Sequence, residues 1–155
     1  MTDDMRWMEA AMAEARQGLA EGGVPIGSVL VADGVVLGRG HNRRVQEGSA
    51  ILHGEMDALR NAGRLPVAVY ARATLYTTLS PCPMCTGAAL LFKIPRVVLA
   101  ENRTFLGDEA LLRARGVEVV NLDLDEAVEL MRRFIAARPE VWNEDIAVEA
   151  GGRRP

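Results

Sequence analysis

The sequence predicts an α/β fold, a three-layer α-β-α sandwich around a mixed five-stranded sheet. Two short apolar runs are joined by Asp33-Gly34, a strong hairpin signal. Downstream of them, stretches with helical spacing alternate with short strand-like runs, the order of a layered α/β chain. The chain has 155 residues, 49% hydrophobic and 25% charged, enough to bury a core without a disulfide or metal to hold it.

Each element has a local reason. Met5, Met8, Met12, Ala15 and Leu19 recur at helical spacing as a core stripe, and Gly22-Gly23 ends that helix. Strands follow at 25–32 and 35–39, then an irregular stretch at 40–48. A helix over 53–62 stops at Gly63. A strand at 73–78 leads to Ser80-Pro81, which open a helix reaching about Phe92. Pro95 precedes a strand at 97–100, residues 109–115 read as helix, and 117–121 as the last strand. Residues 125–138 form a helix with its apolar face at Val128, Met131 and Ile135, and Pro139 starts a final helix ending near Gly151. No linker, repeat or low-complexity tract interrupts this order, so 1–150 read as one domain and 151–155 as a disordered tail.

Composition excludes several classes of function. No apolar run approaches the roughly 18 residues of a membrane span. The first residues are acidic and run into an amphipathic segment rather than a secretory signal, so a cytoplasmic location is expected. The 18 basic and 21 acidic residues leave a net charge of −3, and the basic pairs Arg43-Arg44, Arg132-Arg133 and Arg153-Arg154 are scattered. A nucleic-acid grip usually needs a basic face, so a small, neutral or weakly charged substrate is expected and no nucleic acid.

Both cysteines fall in Pro81-Cys82-Pro83-Met84-Cys85. Such a pair can be a redox couple, half a metal site or two core thiols. Pro83-Met84 adds no redox cue, whereas His53-Gly54-Glu55 opens another helix upstream. Cys82 and Cys85 share a face of a first helical turn, where the helix N-terminus favours thiolates. With His53 they make three ligands, which suits a catalytic zinc with a position left for water. His41, the one other histidine, leaves a closed four-ligand site as an alternative. His53 and Glu55 lie two apart and cannot face one metal from mid-helix. They can if His53 stands just before the helix, with Glu55 then beside the metal as a base; the plainer reading is a first-turn glutamate favouring the helix dipole.

H-x-E followed by P-C-x-x-C is the signature of zinc deaminases. Further segments, among them Gly22-Gly23-Val24-Pro25-Ile26-Gly27, Gly38-Arg39-Gly40-His41-Asn42, Leu75-Tyr76-Thr77-Thr78-Leu79-Ser80, Glu101-Asn102 and Trp142-Asn143-Glu144-Asp145-Ile146, closely resemble the fungal-type cytosine deaminases. That resemblance runs from about Ala15 to Ile146. It implies the cytidine deaminase-like fold, one zinc per chain on His53, Cys82 and Cys85, and a homodimer acting in pyrimidine salvage. It implies Glu55 as proton shuttle, the Asn42 amide on the pyrimidine edge, the Gly54 N–H helping to hold the ring carbonyl, and Asp145 accepting from the exocyclic amine. It further implies the Ser80 carbonyl facing the leaving ammonia, with Phe105 and Trp142 covering the ring. Asn143 departs from the pattern where an aromatic is usual, and Asp57 is a further carboxylate beside the site or a support for its helix. Free cytosine is the leading substrate; guanine, isocytosine, tRNA adenosine, or a zinc-stabilised interaction domain without catalysis are the alternatives. The apolar run 87–92 is the expected dimer contact.

Overall fold

The computed structural model describes residues 3–149, so the tail at 151–155 lies outside the described residues. Helix α1 (Asp3–Ala20) precedes the hairpin of β1 (Gly27–Ala32) and β2 (Val35–His41), whose turn places Asp33 at φ 52° and Gly34 at φ 74°. Two positive φ values are what a two-residue turn needs to match strand twist, and glycine meets the second without steric cost. Next come α2 (Arg44–Glu47), α3 (Gly54–Ala62), α4 (Val67–Tyr70), β3 (Ala73–Thr77), α5 (Pro83–Leu91) and β4 (Arg96–Leu99). The described chain closes with α6 (Glu109–Ala114), β5 (Glu118–Asn121), α7 (Asp125–Ala137) and α8 (Pro139–Asp145).

The strands form one five-stranded sheet in the order β2-β1-β3-β4-β5. Strand β1 pairs antiparallel with β2 and β3, while β3-β4 and β4-β5 are parallel. Alternation along the strands builds the two outer layers. Leu30, Ala32, Leu75 and Val97 face Leu59, Tyr70, Ala89 and Leu112 from α3, α4, α5 and α6. Val29, Val31, Tyr76 and Val98 face Met8, Ala11, Met12 and Ala127 from α1 and α7. This is the three-layer sandwich. No helix among the described residues is long and apolar enough to cross a membrane.

Three local expectations need correction, and one short helix was not expected. The last helix ends at Asp145 rather than near Gly151, because Ala147 takes a positive φ of 53° and breaks the helical path. Residues 40–48 are not irregular throughout: β2 extends to His41 and α2 occupies four residues. Helix α4 carries no sequence signal of its own and forms where Tyr70 packs on the core. Leu19, assigned to the core stripe, is exposed, and Gly18 fills that position against the His41 ring.

Candidate active site

Two helix N-termini meet at the site. His53 and Cys82 are the residues immediately before α3 and α5, both in extended backbone, with φ −64°, ψ 165° and φ −66°, ψ 172°. A side chain at that position points back past the helix end, which lets His53 face Cys82 while Glu55 still reaches the same space. Gly54 is needed there because a Cβ would stand 3.0 Å from the Ile26 carbonyl oxygen. Pro83 starts α5 without wasting a backbone donor, and the Cys85 N–H donates to Cys82 Sγ at 3.5 Å.

His53 Nδ1 lies 3.3 Å from Cys82 Sγ and 3.7 Å from Cys85 Sγ, and the three donor atoms lie within 4.8 Å of one another. Tetrahedral zinc, with Zn–S of about 2.3 Å and Zn–N of about 2.0 Å, holds its ligand atoms about 3.5–3.8 Å apart, so the donor set fits that ion. Without a metal the two thiols divide their protons unequally. The hydrogen bond from Cys85, helped by the His53 ring, holds Cys82 down at about 4, against the opposing effect of burial. The same bond and burial push Cys85 well up. Burial pulls His53 down, but Cys82 and the Asp145 and Glu55 carboxylates outweigh it and raise the ring to about 9. A divalent cation replaces these protons. His53 Nε2 faces Asp145 Oδ2 at 3.4 Å, the kind of outer carboxylate that orients a ligating imidazole.

Glu55 is buried, and its Oε1 accepts from the Thr77 hydroxyl at 2.7 Å. Burial, then the neighbouring Cys82 charge, push its carboxyl up. The Asn42 amide N–H donates to Asp145 Oδ1 at 2.7 Å, while Asn42 Oδ1 accepts from the Arg44 N–H at 3.1 Å. Both side chains are buried, and Asp145 is raised chiefly by desolvation. Phe105 and Trp142 meet edge to face at 5.9 Å between ring centroids. With Ser80, Ile146, His53 and Glu55 they close an inner chamber of about 10 Å³, behind an outer cleft of about 470 Å³ lined by Arg44, Met84, Glu144 and Ala147.

Residues 1–101 match the family described as the cytidine and deoxycytidylate deaminase zinc-binding region. A cytosine deaminase of Candida albicans is 56% identical over 145 residues, covering 93% of this chain and 97% of the relative. The chain belongs to this deaminase family. A tRNA-specific adenosine deaminase of Streptococcus pyogenes is 37% identical over 84% of the chain and 81% of the relative. Among solved structures, a chain from work on tRNA:A34 deaminases superposes with a TM-score of 0.66 at 30% identity, covering 77% of this chain and 99% of that one. A guanine deaminase from Nitrosomonas europaea gives 0.71 at 23% identity over 87% and 85% of the two chains, a likeness of fold.

Several contacts around this deaminase's site were not assigned from the sequence. Thr77 and Ser28 stand behind Glu55, found only once β1 and β3 are in register. The Ser80 hydroxyl donates to buried Glu109 at 2.6 Å and accepts from the Gly107 N–H at 2.9 Å, fixing the turn before Cys82. Glu101 accepts from the Arg103 and Thr104 N–H groups and from the Thr104 hydroxyl, and so shapes the loop that carries Phe105. His41 is outside the metal group of the described residues: its ring nitrogens each lie 2.7 Å from a carboxylate, of Glu14 and of Glu21. The four-ligand alternative therefore fails. Asp57 points away from the site and supports its helix, binding the His41 N–H, Arg43 and Arg60.

Proposed function

We propose that this deaminase hydrolyses free cytosine to uracil and ammonia, in pyrimidine salvage. One observation carries the reading: buried Asp145, which accepts from the Asn42 amide at 2.7 Å, lines the same chamber as Glu55, His53 and Cys82. A carboxylate beside an amide at that point matches a pyrimidine that offers an exocyclic amine. The likeness to the Candida albicans cytosine deaminase supports the same substrate.

A zinc, which His53, Cys82 and Cys85 would hold, would supply the Lewis acidity that makes water a nucleophile at neutral pH. Glu55, buried and without an arginine partner, takes a proton from the attacking water and gives it to the ring nitrogen next to the amine-bearing carbon. It then takes the proton of the hydroxyl added to that carbon and delivers it to the amine, which leaves as ammonia past the Ser80 carbonyl as the carbon–oxygen double bond forms. Asn42 and the Gly54 N–H hold the ring, Asp145 accepts from the amine, and Phe105 and Trp142 exclude water from the ring faces. Water and cytosine balance uracil and ammonia. The inner chamber has room for about one water, so Phe105, Trp142 and Ile146 must separate to admit a base.

A second cavity, of about 810 Å³, lies away from the chemistry. It is an apolar groove between α3, α4 and α5, flanked by exposed Ile51, Val67 and Leu91. We assign that face to a second copy of the chain in a homodimer, to which Leu91 of the 87–92 run contributes. Light scattering at micromolar concentration should return twice the chain mass.

Ammonia release measured across cytosine, isocytosine, guanine, cytidine and a tRNA anticodon stem decides the substrate. Cytosine should be the best substrate. Faster release from the tRNA would instead assign the chain with its adenosine deaminase relatives, against the acidic character of 143–149.

A further inference from the structure

Thr77 belongs to strand β3 and Ser28 to β1, and the register places them directly opposite each other. Neither is exposed at all. Ser28 Oγ donates to Thr77 Oγ1 at 3.1 Å, and Thr77 Oγ1 donates to Glu55 Oε1 at 2.7 Å. With its single proton given to Glu55, the Thr77 oxygen can serve Ser28 only as acceptor. The order of donors runs one way, from strand to carboxylate.

This polarity is not required by the sheet. Two facing hydroxyls in a dry core could be replaced by apolar side chains of the same shape at little cost, since the pair chiefly satisfies itself. What the hydroxyls add lies at their far end. Nor are they a path for protons: beyond Ser28 the chain closes on Gly54, where even a Cβ would stand 3.3 Å from Ser28 Oγ. A hydroxyl that holds one carboxylate oxygen and leads nowhere fixes the rotation of that carboxylate.

We propose that Thr77 is a positioning residue for the reaction: it pins Glu55 Oε1 so that Oε2 alone faces the chamber and carries the proton, with Ser28 setting the direction of the Thr77 hydroxyl. This rests on the reading of Glu55 as the acid–base group. It concerns the barrier rather than binding, because Thr77 lies behind Glu55 and outside the residues lining the chamber.

The test compares Thr77→Val, which keeps the shape, with Thr77→Ser, which keeps the hydroxyl, both as the zinc-loaded full chain. Thr77→Val should lower kcat by about 10–10²-fold, as an ångström-scale misplacement does, with KM changed by less than about twofold. Its zinc content and melting temperature should match the parent, and Thr77→Ser should recover most of kcat. The infrared carboxyl band assigned to Glu55 by its loss in Glu55→Gln should shift in Thr77→Val and return in Thr77→Ser. Parental kcat in Thr77→Val, or a loss in KM alone, overturns the proposal. Should Thr77→Val fail to fold, Ser28→Ala decides, with a smaller fall in kcat at constant KM supporting it and no change overturning it. Glu55→Gln in the same assay separates the two readings. If that variant is active, the acid–base assignment falls; if it is inactive while Thr77→Val is not slowed, only the positioning role falls.

Discussion

Glu55 and Asp57 stand two residues apart in the first turn of one helix, both carboxylates and both buried, and they do opposite things. Asp57 is saturated: Oδ2 accepts from the His41 N–H at 3.0 Å and Arg43 Nε at 2.9 Å, and Oδ1 accepts from Arg60 at 2.7 Å. Glu55 has one neutral hydroxyl at 2.7 Å and no arginine, and burial pushes its carboxyl up. A carboxylate whose oxygens are taken up by fixed donors holds structure. One placed in the same low-dielectric setting without arginines is ready to exchange a proton. Helical geometry makes the division possible, since residues two apart look to opposite sides.

The comparison breaks most visibly if the two residues are exchanged in effect. Glu55→Gln should lower kcat by at least about 10²–10⁴-fold with zinc content and melting temperature retained, the worth of a positioned acid–base group. Near-parental turnover would place the proton shuttle elsewhere. Asp57→Ala should do the reverse and cost about 3 kcal/mol of stability in urea unfolding. That is the low end for a broken buried pair, because Arg43 and Arg60 keep contact with solvent. Its turnover per folded, zinc-loaded molecule should exceed that of Glu55→Gln; a stable but inactive Asp57→Ala would put Asp57 in the chemistry.

Asp145 sharpens the contrast, being buried like Glu55 yet bonded to Asn42 and close to Arg44 and His53. Asp145→Asn should weaken transition-state stabilisation for cytosine by about 1.5–3 kcal/mol, read from kcat/KM, with the melting temperature little changed. Equal activity would remove Asp145 from the substrate edge.

The smallest effect belongs to Asp4, a partly exposed carboxylate that accepts from two Arg96 nitrogens at 2.7 and 2.8 Å and from the Tyr76 hydroxyl at 2.9 Å. Its carboxyl is held below the ordinary 3.8, first by the Arg96 hydrogen bonds. A lowered folded-state pKa means stability that is present above the ordinary value and lost as pH falls through the lowered one. Asp4→Asn should therefore cost no more than about 1 kcal/mol at pH 7, and the difference should vanish in acid. A gap that widens as pH falls would show that Arg96 is not the cause.

Much of the metal group was legible because its determinants are local. Gly54 frees the chain just ahead of α3, Pro83 starts α5, and three-residue spacing puts both cysteines on one turn. The length of α8 was not legible, because the apolar pattern of 139–149 continues past Asp145 while the backbone turns away at Ala147. Sequence likewise left Asp57 open between site and support, since only the arrival of His41 and Arg43 beside α3 saturates it.

What the sequence by itself determined was the order of helices and strands, the Asp33-Gly34 hairpin and a ligand set with three donors, all set by neighbours a few residues apart. The tertiary structure decided which partners each buried polar group receives: Thr77 and Ser28 behind Glu55, Asp145 against Asn42, Glu109 under Ser80, two glutamates on His41. Asp145 reached the site reading only through family resemblance, and Thr77 did not reach it at all. The physical reason is the same for each. These contacts join residues 20 to 103 positions apart, and strand register and helix packing set them rather than local spacing.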